Sequence, residues 1–143
     1  MISPEELALP AGTLPASKRL VRKGSVLLVE DTPALRRLLE ICLGRAGYDV
    51  VSAADGLEAM NLLKTHKIDI VVTDAIMPNL NGYELCRFIR NNQPLSKLPI
   101  VLLSALDPHN EEAEDTDAFL IKPVSPEDLL ECVAALLRNR ETS

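Results

Sequence analysis

The stretch from Ile68 to Gly82, IDIVVTDAIMPNLNG, constrains this chain more than any other. Ile68 and Ile70 to Thr73 make an apolar, largely β-branched run, broken only by Asp69 and ending at Asp74. Such a run predicts a strand buried on both faces, the habit of a parallel sheet covered by helices. Asp74 then stands where the strand stops and the backbone opens toward solvent, the edge at which open α/β sheets bind ligands. A Met77-Pro78 pair and a turn closing at Gly82 follow. A carboxylate in that place can be a cap, a ligand or a nucleophile, and the other segments have to distinguish these.

Those segments alternate between two periods. SVLLVED (25–31) reads as a buried strand with Glu30 and Asp31 at its tip. Thr32-Pro33 then caps a helix carrying Leu35, Leu38, Leu39, Cys42 and Leu43, which Gly47 stops. Tyr48 to Ala53 is a second strand, and Asp55 with Glu58 opens a helix through about Lys64. After the central strand, Asn81 with Glu84 begins a third helix bearing Leu85, Phe88 and Ile89. Leu98 to Leu103 is a fourth strand ending at Ser104, and Phe119 to Ile121 a short fifth ending in Lys122-Pro123. Ser125-Pro126-Glu127-Asp128 caps a last helix that buries Leu129, Val133, Leu136 and Leu137. Strands alternating with helices require right-handed crossovers, hence a parallel sheet. The expected fold class is α/β, a doubly wound five-stranded parallel sheet in the flavodoxin-like order 2-1-3-4-5. Between Ser104 and Phe119 the acidic segment LDPHNEEAEDTD offers no apolar stripe, so a loop or a single turn is expected there.

Composition narrows the function classes. At 143 residues the chain suits one domain, expected over 25–143 behind an N-terminal tail or linker at 1–24 that holds three prolines. No apolar run reaches the roughly 18 residues a bilayer span needs, and the N-terminus lacks the basic and apolar blocks of a signal peptide. A cytoplasmic protein with no membrane partner is expected. Cys42, Cys86 and Cys132 fall among apolar helical residues and are expected to be buried free thiols. Net charge is −6, and the six acids between residues 107 and 117 equal the whole excess. Lys18, Arg19, Arg22 and Lys23 form only a small cluster, not a stripe that would track phosphates, so no direct nucleic-acid partner is expected.

Parallel strands put Glu30, Asp31, Asp74, Ser104 and Lys122 at one edge of the sheet. Three carboxylates brought together repel unless a cation sits among them. Hard oxygen donors supplemented by water describe Mg²⁺ better than zinc, and no His/Cys cluster competes. Lys122 adds a point charge suited to an anion, and Ser104 adds a hydroxyl. Together these groups describe a site for phosphoryl transfer to Asp74. Rival α/β functions lack their signatures. EDTPA after the first strand would repel the phosphate of a flavin, Ile76 stands where a haloacid-dehalogenase-type phosphatase needs a second aspartate, and the first loop has no cobalamin-ligating histidine.

VLLVED, VVTDAIMPNLNG, VLLSA and FLIKP together resemble the receiver domain of two-component response regulators, over roughly residues 25 to 138. The resemblance implies that Asp74 is the phosphoacceptor, and that Glu30, Asp31, Asp74 and the backbone carbonyl of Ile76 hold Mg²⁺. It implies that Ser104 bonds the phosphoryl group, that Lys122 pairs with it through a strand tip ending in a cis bond to Pro123, and that Phe119 is the aromatic switch. The donor would be a histidine kinase or a phosphotransfer protein. The chain would be a signalling receiver rather than an enzyme, apart from catalysing its own Mg²⁺-dependent phosphorylation and dephosphorylation. Neither end is expected to hold an output domain, so a stand-alone receiver, or one cut from a larger protein such as a hybrid sensor kinase, is expected, with output through another protein. The alternative is a degenerate receiver acting as a phosphorylation-independent interaction module. Two departures stand out. The span from Ser104 to Lys122 is about one helical turn shorter than is usual in the family, which predicts a fourth helix shortened or replaced by the acidic loop 107–117. Asp115, Thr116 and Asp117 also replace the small residues that usually precede the fifth strand.

Overall fold

The computed structural model describes residues 23–105 and 114–142. The tail expected over 1–24 and the acidic replacement for a fourth helix fall, apart from their edges, outside the described residues. The elements run β1 (Ser25–Val29), α1 (Pro33–Arg45), β2 (Asp49–Ala53), α2 (Gly56–Thr65), β3 (Ile70–Asp74), α3 (Gly82–Arg90), a 3₁₀ turn (Leu95–Lys97), β4 (Ile100–Ser104), β5 (Ala118–Ile121) and α4 (Pro126–Thr142). All five strands are parallel, as the alternation of strands and helices predicts, and their order β2-β1-β3-β4-β5 is the one expected by analogy with the flavodoxin-like fold.

Successive residues of a strand point to opposite faces, and the core divides accordingly. Leu27, Val29, Val71, Ile100 and Leu102 meet α2 and α3 through Ala59, Leu63, Leu85 and Ile89. Val26, Leu28, Ile70, Val72, Val101 and Leu103 meet α1 and α4 through Leu39, Leu43, Leu129 and Val133. Burying each large side chain contributes about 1.5–3 kcal/mol, so both covered faces are needed to hold the sheet. The central strand is buried at every position from Ile70 to Asp74, while Ile68 lies just before it.

Local signals place the helices. Asp55 accepts the amide of Glu58, and Asn81 with Glu84 forms a reciprocal capping box. Thr32 makes no side-chain cap, and Pro33 opens α1 instead. Three expectations need correction. Leu38 is 49% exposed, because Leu39 and Leu43 set the buried face of α1 and Leu38 lies a helical step to one side. Phe88 is only partly buried, at the margin of the α3 contact. Of the free cysteines only Cys86 is buried; Cys42 and Cys132 keep part of their surface in water.

Candidate functional site

The strand registers bring the expected tips together. Val29 pairs with Thr73, Asp74 with Leu103 and Ser104 with Ile121, so Glu30 and Asp74 stand level at one edge of the sheet, with Ser104 one residue and Lys122 two residues further out along it. The Ala75 amide donates to the Leu103 carbonyl at 2.8 Å and the Lys122 amide to the Ser104 carbonyl at 2.8 Å, carrying the sheet past its last ladder pairs. The Lys122–Pro123 peptide is cis.

Glu30 is fully buried, Asp74 is 6% exposed and Ser104 7%, while Asp31 lies nearer solvent. One oxygen from each of Glu30, Asp31 and Asp74 lies within 4.8 Å of the others. The Lys122 ammonium bridges two of them, with Nζ 3.1 Å from Glu30 Oε1 and 3.1 Å from Asp74 Oδ2. Burial would lower the Lys122 pKa, but the hydrogen bonds to Asp74 and Glu30 outweigh it and hold the pKa above its ordinary value. Burial raises the Glu30 pKa, opposed by the Thr32 amide and Lys122 and reinforced by the Asp74 charge. Lys122 thus supplies one positive charge against three carboxylates. That excess of hard anionic oxygen fits a divalent cation such as Mg²⁺ and offers zinc no soft donor.

Several contacts could not be read in advance. Arg36 of α1 donates to the Glu30 carbonyl at 2.7 Å, and the Thr32 amide donates to Glu30 Oε2 at 3.1 Å, so the head of α1 fixes the acidic tip of β1. Nothing in the sequence separates Arg36 from any other surface arginine. Gly82 carried a weak signal, as the glycine that closes the turn. A Cβ there would collide with the Asp74 carbonyl oxygen, so only glycine lets α3 start directly under the tip of β3. Phe119 and Ile121 are 40% and 46% exposed, so the Phe119 ring lies on the outer side of β5 rather than in the core. Asp117, which departs from the family pattern, acts at the far end of the sheet. Its Oδ2 accepts the Ile100 amide at 2.8 Å and Arg90 Nη2 at 2.8 Å, tying the start of β4 to the end of α3.

Comparison with known proteins places these features. The chain is 38% identical over 124 residues to the probable transcriptional regulator ycf27 of Guillardia theta, covering 84% of this chain and 48% of that protein. The chain spans about half the length of the first curated relatives it matches. Protein PilG of Pseudomonas aeruginosa is 33% identical over 114 residues, with 77% of this chain and 84% of PilG covered. Among solved structures, the receiver domain of a sensor histidine kinase from Pseudomonas aeruginosa, with a magnesium ion coordinated in its active-site cleft, superposes with a TM-score of 0.73. It is 29% identical, and the match covers 80% of this chain and 97% of that one. The family model of the response regulator receiver domain matches residues 26–134. A match that begins in the first strand and ends within the last helix leaves no part of the sheet unaccounted for, and the chain belongs to the response regulator receiver domain family of two-component systems.

Proposed function

We propose that this receiver accepts a phosphoryl group on Asp74 from the phosphohistidine of a histidine kinase or phosphotransfer protein. An Asp74 carboxylate oxygen forms the new O–P bond while the P–N bond breaks, and the imidazole leaves with the electron pair and takes up a proton. The observation that carries this reading is the acidic cluster bridged by Lys122, 3.1 Å from both Glu30 and Asp74. Glu30, Asp31, Asp74 and the carbonyl of Ile76 would hold Mg²⁺, which when bound neutralises charge on the transferring group. Lys122 releases Asp74 to pair with a phosphoryl oxygen, and the Ser104 hydroxyl donates to another. Phe119, three residues before Lys122 on β5, is the side chain whose inward turn would report that movement. The signal passes by protein–protein contact in the cytoplasm, with neither nucleic acid nor membrane as a direct partner. No helix among the described residues is long and apolar enough to cross a membrane.

The test is intact mass after incubation with acetyl phosphate, with and without Mg²⁺, beside Asp74→Ala. A single phosphoryl gain that needs both Mg²⁺ and Asp74 is expected. No gain in the native protein would instead support an interaction module independent of phosphorylation. A gain that survives Asp74→Ala would place the acceptor on another residue.

A further inference from the structure

The loop between β3 and α3 is held at more points than its length requires. At its base the Gly82 amide donates to the Ala75 carbonyl at 2.8 Å, and Gly82 packs directly on the Asp74 carbonyl. At its crest Asn79 has φ 68°, the only positive φ of a non-glycine among the described residues. That conformation is tolerated by asparagine and costly for most other side chains. The Asn79 amide donates to Asp55 Oδ2 at 2.9 Å. Asp55 uses its other oxygen, Oδ1, to accept the Glu58 amide at 2.9 Å and cap α2. Beside this contact a Cβ on Gly56 would collide with the Leu80 carbonyl and Cβ, so the first turn of α2 lies against the loop backbone. The Asp55 carboxyl is held below its ordinary pKa by the Glu58 amide and then by Asn79, in keeping with a carboxylate engaged on both oxygens.

Ile76 lies between these fixed points, one residue past Ala75 and three before Asn79, and its side chain is 71% exposed. Packing of that side chain therefore does little to orient its peptide unit. The orientation falls to the loop's anchors. We propose that Asp55 and Asn79 form a clasp that positions the Ile76 carbonyl for the cation held by Glu30, Asp31 and Asp74. This inference rests on the reading of the acidic tips as a Mg²⁺ site. Both are positioning residues: neither would touch the ion, and each acts through the backbone between Ala75 and Leu80.

The test measures Mg²⁺ affinity by isothermal titration calorimetry, with circular dichroism to show that each variant is folded. Asn79→Gly keeps the left-handed backbone and the net charge while deleting the amide. It is expected to weaken Mg²⁺ binding about tenfold, the low end of what outer contacts to a metal site contribute. The exchange variant, Asp55→Asn with Asn79→Asp, reverses donor and acceptor, keeps the net charge, and retains a residue that caps α2 equally well. It is expected to return affinity to within about twofold of native. Native binding of Mg²⁺ with Asn79→Gly unchanged would overturn the clasp alone. A weakened Asn79→Gly that the exchange fails to restore would overturn it too. Failure of the native protein to bind Mg²⁺ would remove the metal-site reading, and the clasp with it.

Discussion

Replacing Lys122 with methionine tests the electrostatics of the site in two opposite directions. Methionine keeps an unbranched apolar stem and removes only the ammonium that lies 3.1 Å from both Glu30 and Asp74. Removing one partner from a fully buried ion pair costs about 3–5 kcal/mol, because the remaining charge stays out of water. Here the Lys122 side chain keeps 25% of its surface exposed while Glu30 keeps none, so solvent screening brings the expected loss to about 2 kcal/mol. For a domain of this size that corresponds to a fall in Tm of about 8 °C. The loss should be largest near pH 7 and shrink toward pH 4.5, where a proton can neutralise Glu30 in place of Lys122. Burial already raises the Glu30 pKa, and loss of the lysine can only raise it further. Mg²⁺ should respond the other way. A unit charge about 4 Å from a divalent ion repels it by about 2 kcal/mol even in bulk water, so removing it should tighten binding at least about tenfold. Urea denaturation of the metal-free proteins at pH 7 and 4.5, with Mg²⁺ titration by calorimetry, measures both effects. Native-like stability of the metal-free variant at pH 7, or weaker Mg²⁺ binding, would refute the reasoning.

Three further outcomes follow from local geometry. Gly82→Ala drives a methyl into the backbone of Asp74 and Ala75, which cannot yield as a side-chain tip would. It should cost about 3 kcal/mol in urea denaturation, and a loss under about 1 kcal/mol would show that α3 can shift freely. Asp117→Ala removes the acceptor of the Ile100 amide and the partner of Arg90; about 1–3 kcal/mol should be lost with Mg²⁺ affinity unchanged, since the contact lies at the opposite end of the sheet. The Asp55 carboxyl has a folded pKa depressed below its unfolded value near 3.8, so its contribution is present above that pH and is lost as pH falls through the folded pKa. Stability curves from pH 5 to 2.5 should therefore fall less steeply for Asp55→Asn than for the native protein, and equal slopes would mean that its hydrogen bonds add nothing.

The parts of this protein legible in its sequence are those set by neighbours along the chain. Continuous apolar runs alternating with helical stripes and capping pairs such as Asn81 with Glu84 led to five parallel strands, and analogy with the flavodoxin-like fold led to their order. Parallel strands end at one edge, so the meeting of Glu30, Asp31, Asp74, Ser104 and Lys122 followed from topology alone. The acidic segment was legible as a departure but not as a shape, and most of it lies outside the described residues. Exposure on helix margins was less legible, because whether Leu38 or Phe88 is covered depends on the angle at which a helix crosses the sheet, which hydrophobic spacing does not encode.

Local pattern by itself thus determined the fold class, the edge where the acidic strand tips meet and the residue types available there. Only the tertiary structure decided how those groups are held. Lys122 reaches both Glu30 and Asp74, Arg36 seizes the Glu30 carbonyl, Asn79 meets Asp55 and Asp117 meets Ile100. Asp55 and Asn79 are separated by 24 positions, and Glu30 and Lys122 by 92. Contacts over such separations depend on where packed helices and loops bring side chains of a few ångströms' reach, and a hydrogen bond fails within less than an ångström of misplacement.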